Sequence, residues 1–257
     1  MLAARSDTSL AGNGSSLTTA LAAELGRRIA SGRLGAGDLL PTESEIQLEF
    51  GVSRTVVREA IRHLSSKGLV SVRPKVGTKV RPETDWNMLD GEVMRWHLLA
   101  ETPRPFIEAL YEMRLINEPA AARMAATRIG DEDRRALSAA LEGMARHPRG
   151  SQELIDADLA FHRIVLQATG NPILRSLGAM IESSLSISFS LSWRQNPQEE
   201  TVRQHALVHD AIVAGDDVLA EIYMRRLIES AFNDVILALY DEGGAASPED
   251  DRSTPAA

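Results

Sequence analysis

Along most of the chain, apolar residues return every three or four positions, the spacing that lines one face of a helix. Leu21, Leu25 and Ile29 form one such stripe, which Gly32 and Gly35 bring to an end. Thr42, with Glu45 three positions on, has capping-box spacing and predicts a second helix that carries Ile46 and Phe50 inward. Gly51 permits a tight turn, and Ser53 is placed to cap a third helix whose Val57, Ile61 and Leu64 face a core. Strand-like alternation occurs in one place, residues 69–80, where Val70, Val72, Val76 and Val80 surround Pro74 and Gly77. That pattern predicts a short hairpin. Beyond Pro82 the periodicity predicts helices over 87–100, 104–129, 131–146, 151–169, 172–192, 198–214 and 216–240, separated by proline and glycine.

The expected fold is therefore mainly α. A winged helix-turn-helix over residues 17–82 leads through a linker helix at 83–102 into an all-α bundle of six to seven helices at 103–241. Residues 1–16 and 242–257, rich in glycine, serine and acidic residues, read as disordered tails.

Composition and charge sharpen this picture. The 257 residues are 44% hydrophobic and 25% charged, enough to build two packed domains. A net charge of −8 would argue against nucleic acid if it were spread evenly, but it is not. From Leu17 to Pro82 there are 11 Lys and Arg against 6 Asp and Glu, a balance of +5; from Glu83 onward there are 16 against 29, a balance of −13. A basic head on an acidic body suits DNA binding, because the body repels the duplex that the head attracts. The absence of cysteine excludes disulfides, thiolate zinc sites and a cysteine nucleophile. No apolar run approaches the roughly 20 residues of a spanning helix, and Met1 to Leu21 lacks signal-peptide architecture, so a cytoplasmic protein with no membrane partner is expected.

Within the head, Arg54 and Arg58 lie one turn apart at the start of the third helix. Guanidinium forks there can take guanine O6 and N7 or a phosphate, and Ser53 and Thr55 offer short donors to backbone oxygens. The hairpin brings Lys75, Gly77 and Lys79 as a wing for the adjacent groove, flanked by Arg73 and Arg81. Two arginines at this spacing also occur on ordinary solvated faces; here the turn, the cap, the wing and the local charge agree.

The stretches Gly37-Asp38-Leu39-Leu40-Pro41-Thr42-Glu43-Ser44-Glu45, Phe50-Gly51-Val52-Ser53-Arg54-Thr55-Val56-Val57-Arg58-Glu59-Ala60-Ile61 and Lys67-Gly68-Leu69-Val70 closely resemble the GntR family of bacterial regulators. The resemblance implies that Arg54 and Arg58 contact DNA, assisted by Ser53, Thr55 and the wing. One position departs: residue 44, often an arginine in that family, is serine.

The helical body resembles the FCD ligand-binding domain of the FadR-like branch, through Glu112-Met113-Arg114-Leu115-Ile116-Asn117-Glu118-Pro119, Asp158-Leu159-Ala160-Phe161-His162, Gly170-Asn171-Pro172 and Gln204-His205. Asp158 and His162, four apart, put a carboxylate and an imidazole on one helix face, a spacing shared by metal sites, surface ion pairs and satisfied core histidines. His205 offers a third ligand. The resemblance implies a divalent metal (zinc, nickel or manganese) on Asp158, His162 and His205, although a further histidine usual in metal-binding members is replaced by Leu227. His209, one turn beyond His205, is a possible substitute. Arg114 either clamps an effector carboxylate or pairs with Glu118 one turn on, and Asn171 is an effector-binding candidate or a helix cap. The segment from Trp86 to Trp96 resembles that of regulators of hexonate breakdown, which implies a sugar-acid effector.

The function expected is a transcriptional regulator, a repressor of a catabolic operon, acting as a homodimer on operator DNA and released by a small carboxylate. It is not expected to be an enzyme. The alternatives are an acyl-CoA-responsive, metal-free regulator and a metal-dependent hydrolase using the same three residues.

Overall fold

The computed structural model of the chain describes residues 14–100, 104–178 and 197–243. Of the tails expected at 1–16 and 242–257, residues 1–13 and 244–257 lie outside the described residues, as does the expected 172–192 helix after residue 178; residues 14–16 instead open the first helix and 242–243 close the last. The chain divides into two compact units, one ending at Phe106 and one beginning at Ile107.

The first unit runs α1 (Gly14–Ala30), α2 (Glu43–Phe50), α3 (Arg54–Ser66), β1 (Val70–Arg73), β2 (Gly77–Val80) and α4 (Gly91–Leu98). Helix α2 starts where the sequence predicts: the Thr42 side chain accepts from Glu45 N–H while Glu45 returns to the Thr42 N–H at 2.7 Å. It ends at Gly51, whose φ of 66° turns the chain into α3 without the penalty a Cβ would bring. Ser53 caps α3, accepting from Val56 N–H. Strands β1 and β2 pair antiparallel, Val70 opposite Val80 and Arg73 opposite Gly77, and the segment before α2 joins their edge through Leu40 N–H to Thr78 O at 2.8 Å. This is a winged helix-turn-helix. Leu21, Leu25, Ile46, Phe50, Val57, Leu64 and Leu69 are all but fully buried within it. Each such side chain contributes on the order of 1.5–3 kcal/mol relative to exposure.

The expected helix over 87–100 is shorter at its start. Asp90 caps α4 by accepting from the N–H groups of Glu92 and Val93, so residues 87–89 form the turn before it. Asp90 also takes Lys67 Nζ at 2.7 and 2.8 Å, and Glu92 takes Lys67 Nζ at 2.7 Å and His63 Nε2 at 2.8 Å. The C-terminal end of α3 is thereby fastened to the start of α4. Trp96 of α4 also packs over Gly26 of α1, so close that a Cβ built at Gly26 would clash with its ring.

The second unit contains most of α5 (Arg104–Arg128), then α6 (Asp131–Arg146), α7 (Gln152–Ala168), a helical stretch at 172–178, α8 (Gln198–Ala214) and α9 (Asp217–Gly243). Helix α6 packs against α7 and α8, and α8 against α9. Helix α5 meets α9 through the Tyr111 and Phe232 rings, 5.1 Å apart, and through Arg123, which pairs with Asp217 and Glu221. Pro119 interrupts the α5 hydrogen-bond ladder one residue after Glu118.

Gly26→Ala gives the fold a test of unusual sign. In an open helix that change stabilises by about 0.5–1 kcal/mol. Here it must displace Trp96, and a loss of about 1–3 kcal/mol is expected, read as a lower urea midpoint for the full chain. A stabilised variant would show that Trp96 does not hold α4 to α1.

Candidate nucleic-acid interface and buried polar centre

Ser53, Arg54, Thr55 and Arg58 all lie on the exposed side of α3, while Val56, Val57 and Ile61 face the core. The Arg54 and Arg58 side chains are 71% and 64% exposed, so both guanidinium groups are available at the surface. The Glu43 carboxylate, at the first position of α2, meets both: Oε2 accepts from Arg54 Nε at 2.9 Å and Oε1 lies 3.6 Å from Arg58 Nε. Ser44 is exposed and brings no cation. In the wing, Pro74 and Lys75 form the corner of a turn closed by Val76 N–H to Arg73 O at 3.2 Å. Lys75 has a φ of 65°, a conformation that glycine or asparagine would adopt more cheaply, so a cation is held at the tip at a cost of about 1–2 kcal/mol. Lys75, Gly77 and Lys79 are exposed.

In the second unit, five polar side chains come together in the interior. Arg114 and Glu118 come from α5, Asp158 and His162 from α7, and His205 from α8; none is more than 3% exposed. Helical spacing explains two pairings, since residues four apart share a face. Arg114 Nε donates to Glu118 Oε1 at 2.6 Å, and His162 Nε2 lies 3.4 Å from Asp158 Oδ1. The other contacts are long-range. Glu118 Oε2 engages His162 Nδ1 at 2.5 Å, and His205 Nε2 meets Asp158 Oδ1 at 3.1 Å. His205 Nδ1 bonds to the Thr201 carbonyl at 2.8 Å. The Arg114 guanidinium also stacks on the Tyr111 ring, 5.0 Å from its centre.

Both imidazoles are thus anchored through Nδ1 and turn Nε2 toward one carboxylate oxygen. Anchoring of this kind fixes the tautomer and orientation that a metal-binding histidine needs. One ligand atom from each of Asp158, His162 and His205 lies within 4.8 Å of the others. Ligands about 2.0–2.2 Å from a tetrahedral zinc stand roughly 3.3–3.6 Å apart; the His162-to-Asp158 separation of 3.4 Å falls in that window and the His205-to-Asp158 separation of 3.1 Å, a direct hydrogen bond, lies just below it. Without an ion the charges still balance. Burial would raise the Glu118 carboxyl, yet Arg114 and His162 beside it hold it at about 2. Burial would lower His162, but Glu118 and Asp158 push it up to about 9. Asp158 is likewise held well below the usual carboxylate range, burial opposing and the two histidines prevailing.

Comparison with known proteins agrees with this division of the chain. Residues 17–80 match the family described as bacterial regulatory proteins, gntR family, and residues 109–230 match the FCD domain. The galactonate operon transcriptional repressor of Escherichia coli is 33% identical over 209 residues, covering 80% of this chain and 91% of that protein. The chain belongs to the GntR family. It is a DNA-binding transcriptional regulator of the FCD-containing, FadR-like branch, and the matched domains and relatives mark it as a regulator, not an enzyme. The HTH-type transcriptional repressor NanR of Salmonella newport is 30% identical over 82% of this chain and 81% of its own length. The solved structure of Lar, which controls the expression of the Listeria monocytogenes agr system, shares the fold with a TM-score of 0.58. It is 21% identical over 90% of this chain and 98% of that one. Among the described residues, no helix of this GntR-family regulator is long and apolar enough to cross a membrane.

The structure brings Asp158, His162 and His205 together and places Arg114 beside them through Glu118. In the sequence Glu118 is visible only as a partner for Arg114, because its second oxygen is spent on a histidine 44 positions away and leaves no periodic signal. Asn171 is a helix cap, its Oδ1 accepting from Ile173 N–H at 2.9 Å and Leu174 N–H at 3.4 Å. His209 is engaged elsewhere, with Ser138 at 2.8 Å and Asp210 at 2.9 Å, and among the described residues the potential ligand group has three members. Leu227 is buried.

The charge balance predicts how the chelated regulator responds to pH. A carboxyl at about 2 when folded and near 4.5 when unfolded contributes stability that is full above 4.5 and lost as pH falls toward 2. An imidazole at about 9 when folded and near 6.5 when unfolded contributes stability that is full below 6.5 and lost as pH rises through 9. In the presence of chelator, Tm is therefore expected to hold between about pH 4.5 and 6.5, and His162→Gln should flatten its decline from pH 6.5 to 9. An identical alkaline decline in that variant would place the titrating group elsewhere.

Proposed function

We propose that this regulator represses a catabolic operon and leaves its operator when a small carboxylate, of the sugar-acid class, binds the helical domain. The observation that carries the reading is the interior set of Asp158, His162 and His205, with both imidazoles oriented through their far nitrogens. Burying five charged or polar side chains is costly, and a hydrophobic replacement would often serve stability as well. A ligand accounts for their presence. The relatives named as repressors, one of them of a galactonate operon, support the direction of control and the effector class.

On the DNA side, Arg54 and Arg58 read base edges, Ser53 and Thr55 hold the backbone, and Lys75, Gly77 and Lys79 set the wing on the neighbouring groove. One head spans too few base pairs for selectivity, so a homodimer on a two-fold operator is proposed. On the effector side, Asp158 and the Nε2 atoms of His162 and His205 hold a divalent ion of the zinc, nickel or manganese kind. Such an ion, when bound, supplies a Lewis-acid anchor for a carboxylate oxygen. Glu118 positions the chain's own groups: one oxygen steadies the Arg114 guanidinium and the other the His162 ring. Arg114 supplies the fixed positive charge that an acid entering this interior requires. The five charged and polar groups gathered there favour a small polar acid over an acyl thioester, whose chain needs apolar lining. Asn171 is assigned to the cap. The effector changes DNA affinity only as far as it binds one arrangement of the regulator better than another.

Two measurements test this. A duplex selected by the regulator from a randomised pool should be released on adding galactonate or a related aldonic acid, and retained when chelator is present. Release that ignores the chelator would remove the ion from the effector site, and no release by any aldonic or uronic acid would remove the effector class. Arg58→Ala should weaken binding to that duplex by about 1–3 kcal/mol with the oligomeric state unchanged; full affinity would dismiss α3 as the reading helix.

A further inference from the structure

Exposed ion pairs of the kind Glu43 makes with Arg54 and Arg58 contribute little to stability. Their interest lies in where they sit and which atoms they use. Glu45, the other acid of the α2 first turn, is spent on capping, with Oε2 receiving both N–H and Oγ1–H of Thr42 at 2.7 and 2.8 Å. Glu43 instead reaches across to α3 and places one oxygen on each arginine. In both pairs the close atom is Nε, at 2.9 Å for Arg54 and 3.6 Å for Arg58. Arg54, hydrogen-bonded at Nε, presents its Nη1 and Nη2 fork outward, and Arg58, whose Nε stands beyond hydrogen-bond distance, is drawn toward the same carboxylate by charge alone. That fork is the edge that meets guanine O6 and N7 together.

We propose that Glu43 is a positioning and specificity-determining residue of the DNA interface, orienting both arginine forks for bases while its charge disfavours their use on phosphate. Two effects follow from one carboxylate. It restrains Arg54 through a hydrogen bond and biases Arg58 through charge, reducing the torsional freedom that both would lose on binding, which favours a site that accepts the restrained geometry. It also sets a negative charge on a surface that approaches polyanionic DNA, and this weakens binding wherever the arginines find only phosphate. Both effects widen the gap between cognate and random sequence, and the second lowers affinity for the random duplex outright. The inference rests on the reading of Arg54 and Arg58 as base-contacting residues.

The test compares full-length wild type, Glu43→Gln, Glu43→Asp, Arg54→Ala and Arg58→Ala. Each is titrated against the duplex selected by wild type and against a shuffled duplex of equal composition, over a range of salt. Glu43→Gln is expected to bind the shuffled duplex severalfold more tightly and the selected one more weakly, so that the ratio of the two Kd values falls about tenfold or more. Its salt dependence on the shuffled duplex should steepen. Glu43→Asp, whose shorter arm keeps the charge but cannot reach both arginines, should restore weak binding to the shuffled duplex and recover only part of the ratio. A helix-capping role alone would move both Kd values in parallel. An unchanged ratio, or a parallel loss, overturns the proposal while Arg54→Ala and Arg58→Ala still lose the selected duplex. If those two variants keep it, the underlying reading fails, and the proposal for Glu43 fails with it.

Discussion

Asp158 receives the Nε2 atoms of His162 and His205 inside the protein, and Glu118 receives Arg114 and the far nitrogen of His162. An uncompensated charge in such a place costs several kcal/mol, so each of these groups is tied to the others. That requirement joins α5, α7 and α8 at one point. It also joins them with polar contacts, which depend on angle and protonation in a way that apolar packing does not. A carboxylate, a proton or a metal ion arriving there changes a balance to which three helices contribute. The helical domain is in this sense tied together at one interior polar point.

The same local device, a carboxylate holding an arginine by Nε, recurs in the head with the opposite environment. Glu118 grips Arg114 in the interior, where the pair is fully desolvated and rigid. Glu43 grips Arg54 at the surface, where solvent weakens the pair and leaves the outer edge of the guanidinium open. The head is further braced behind its reading face. Lys67, at the end of α3, is buried and bonded to Asp90 and Glu92 at the start of α4, and Trp96 of α4 lies over Gly26 of α1. The orientation of α3 is therefore fixed from its far end as well as from its core face. Charge divides along the same line, since the basic head carries +5 and the remainder from Glu83 carries −13.

Local signals in the sequence were enough for the head. The Thr42–Glu45 box, the left-handed Gly51 and the Ser53 cap each depend on residues within four positions, and the structure has all three. Helix bounds in the body agree to within one to three residues for the same reason, with proline and glycine marking the breaks. Asp158 and His162 were legible because helical spacing places them together. His205 was legible through resemblance and then met them in space. The partners that give these residues their properties were not legible: Glu118 to His162 spans 44 positions, Lys67 to Asp90 spans 23 and Arg54 to Glu43 spans 11. No period in a sequence encodes such pairs. The same limit explains His209, whose spacing suits a fourth ligand but whose ring is taken by Ser138 on α6.

Metal-edge X-ray absorption on the purified full-length regulator examines the Asp158, His162 and His205 centre directly, because it reports which atoms surround an ion. One divalent ion per chain is expected, with two imidazole nitrogens and one or more oxygens in its inner shell, and with the imidazole scattering reduced in His205→Ala. An ion surrounded by oxygen alone, or a protein that retains no ion after dialysis against zinc, nickel and manganese in turn, would contradict this expectation.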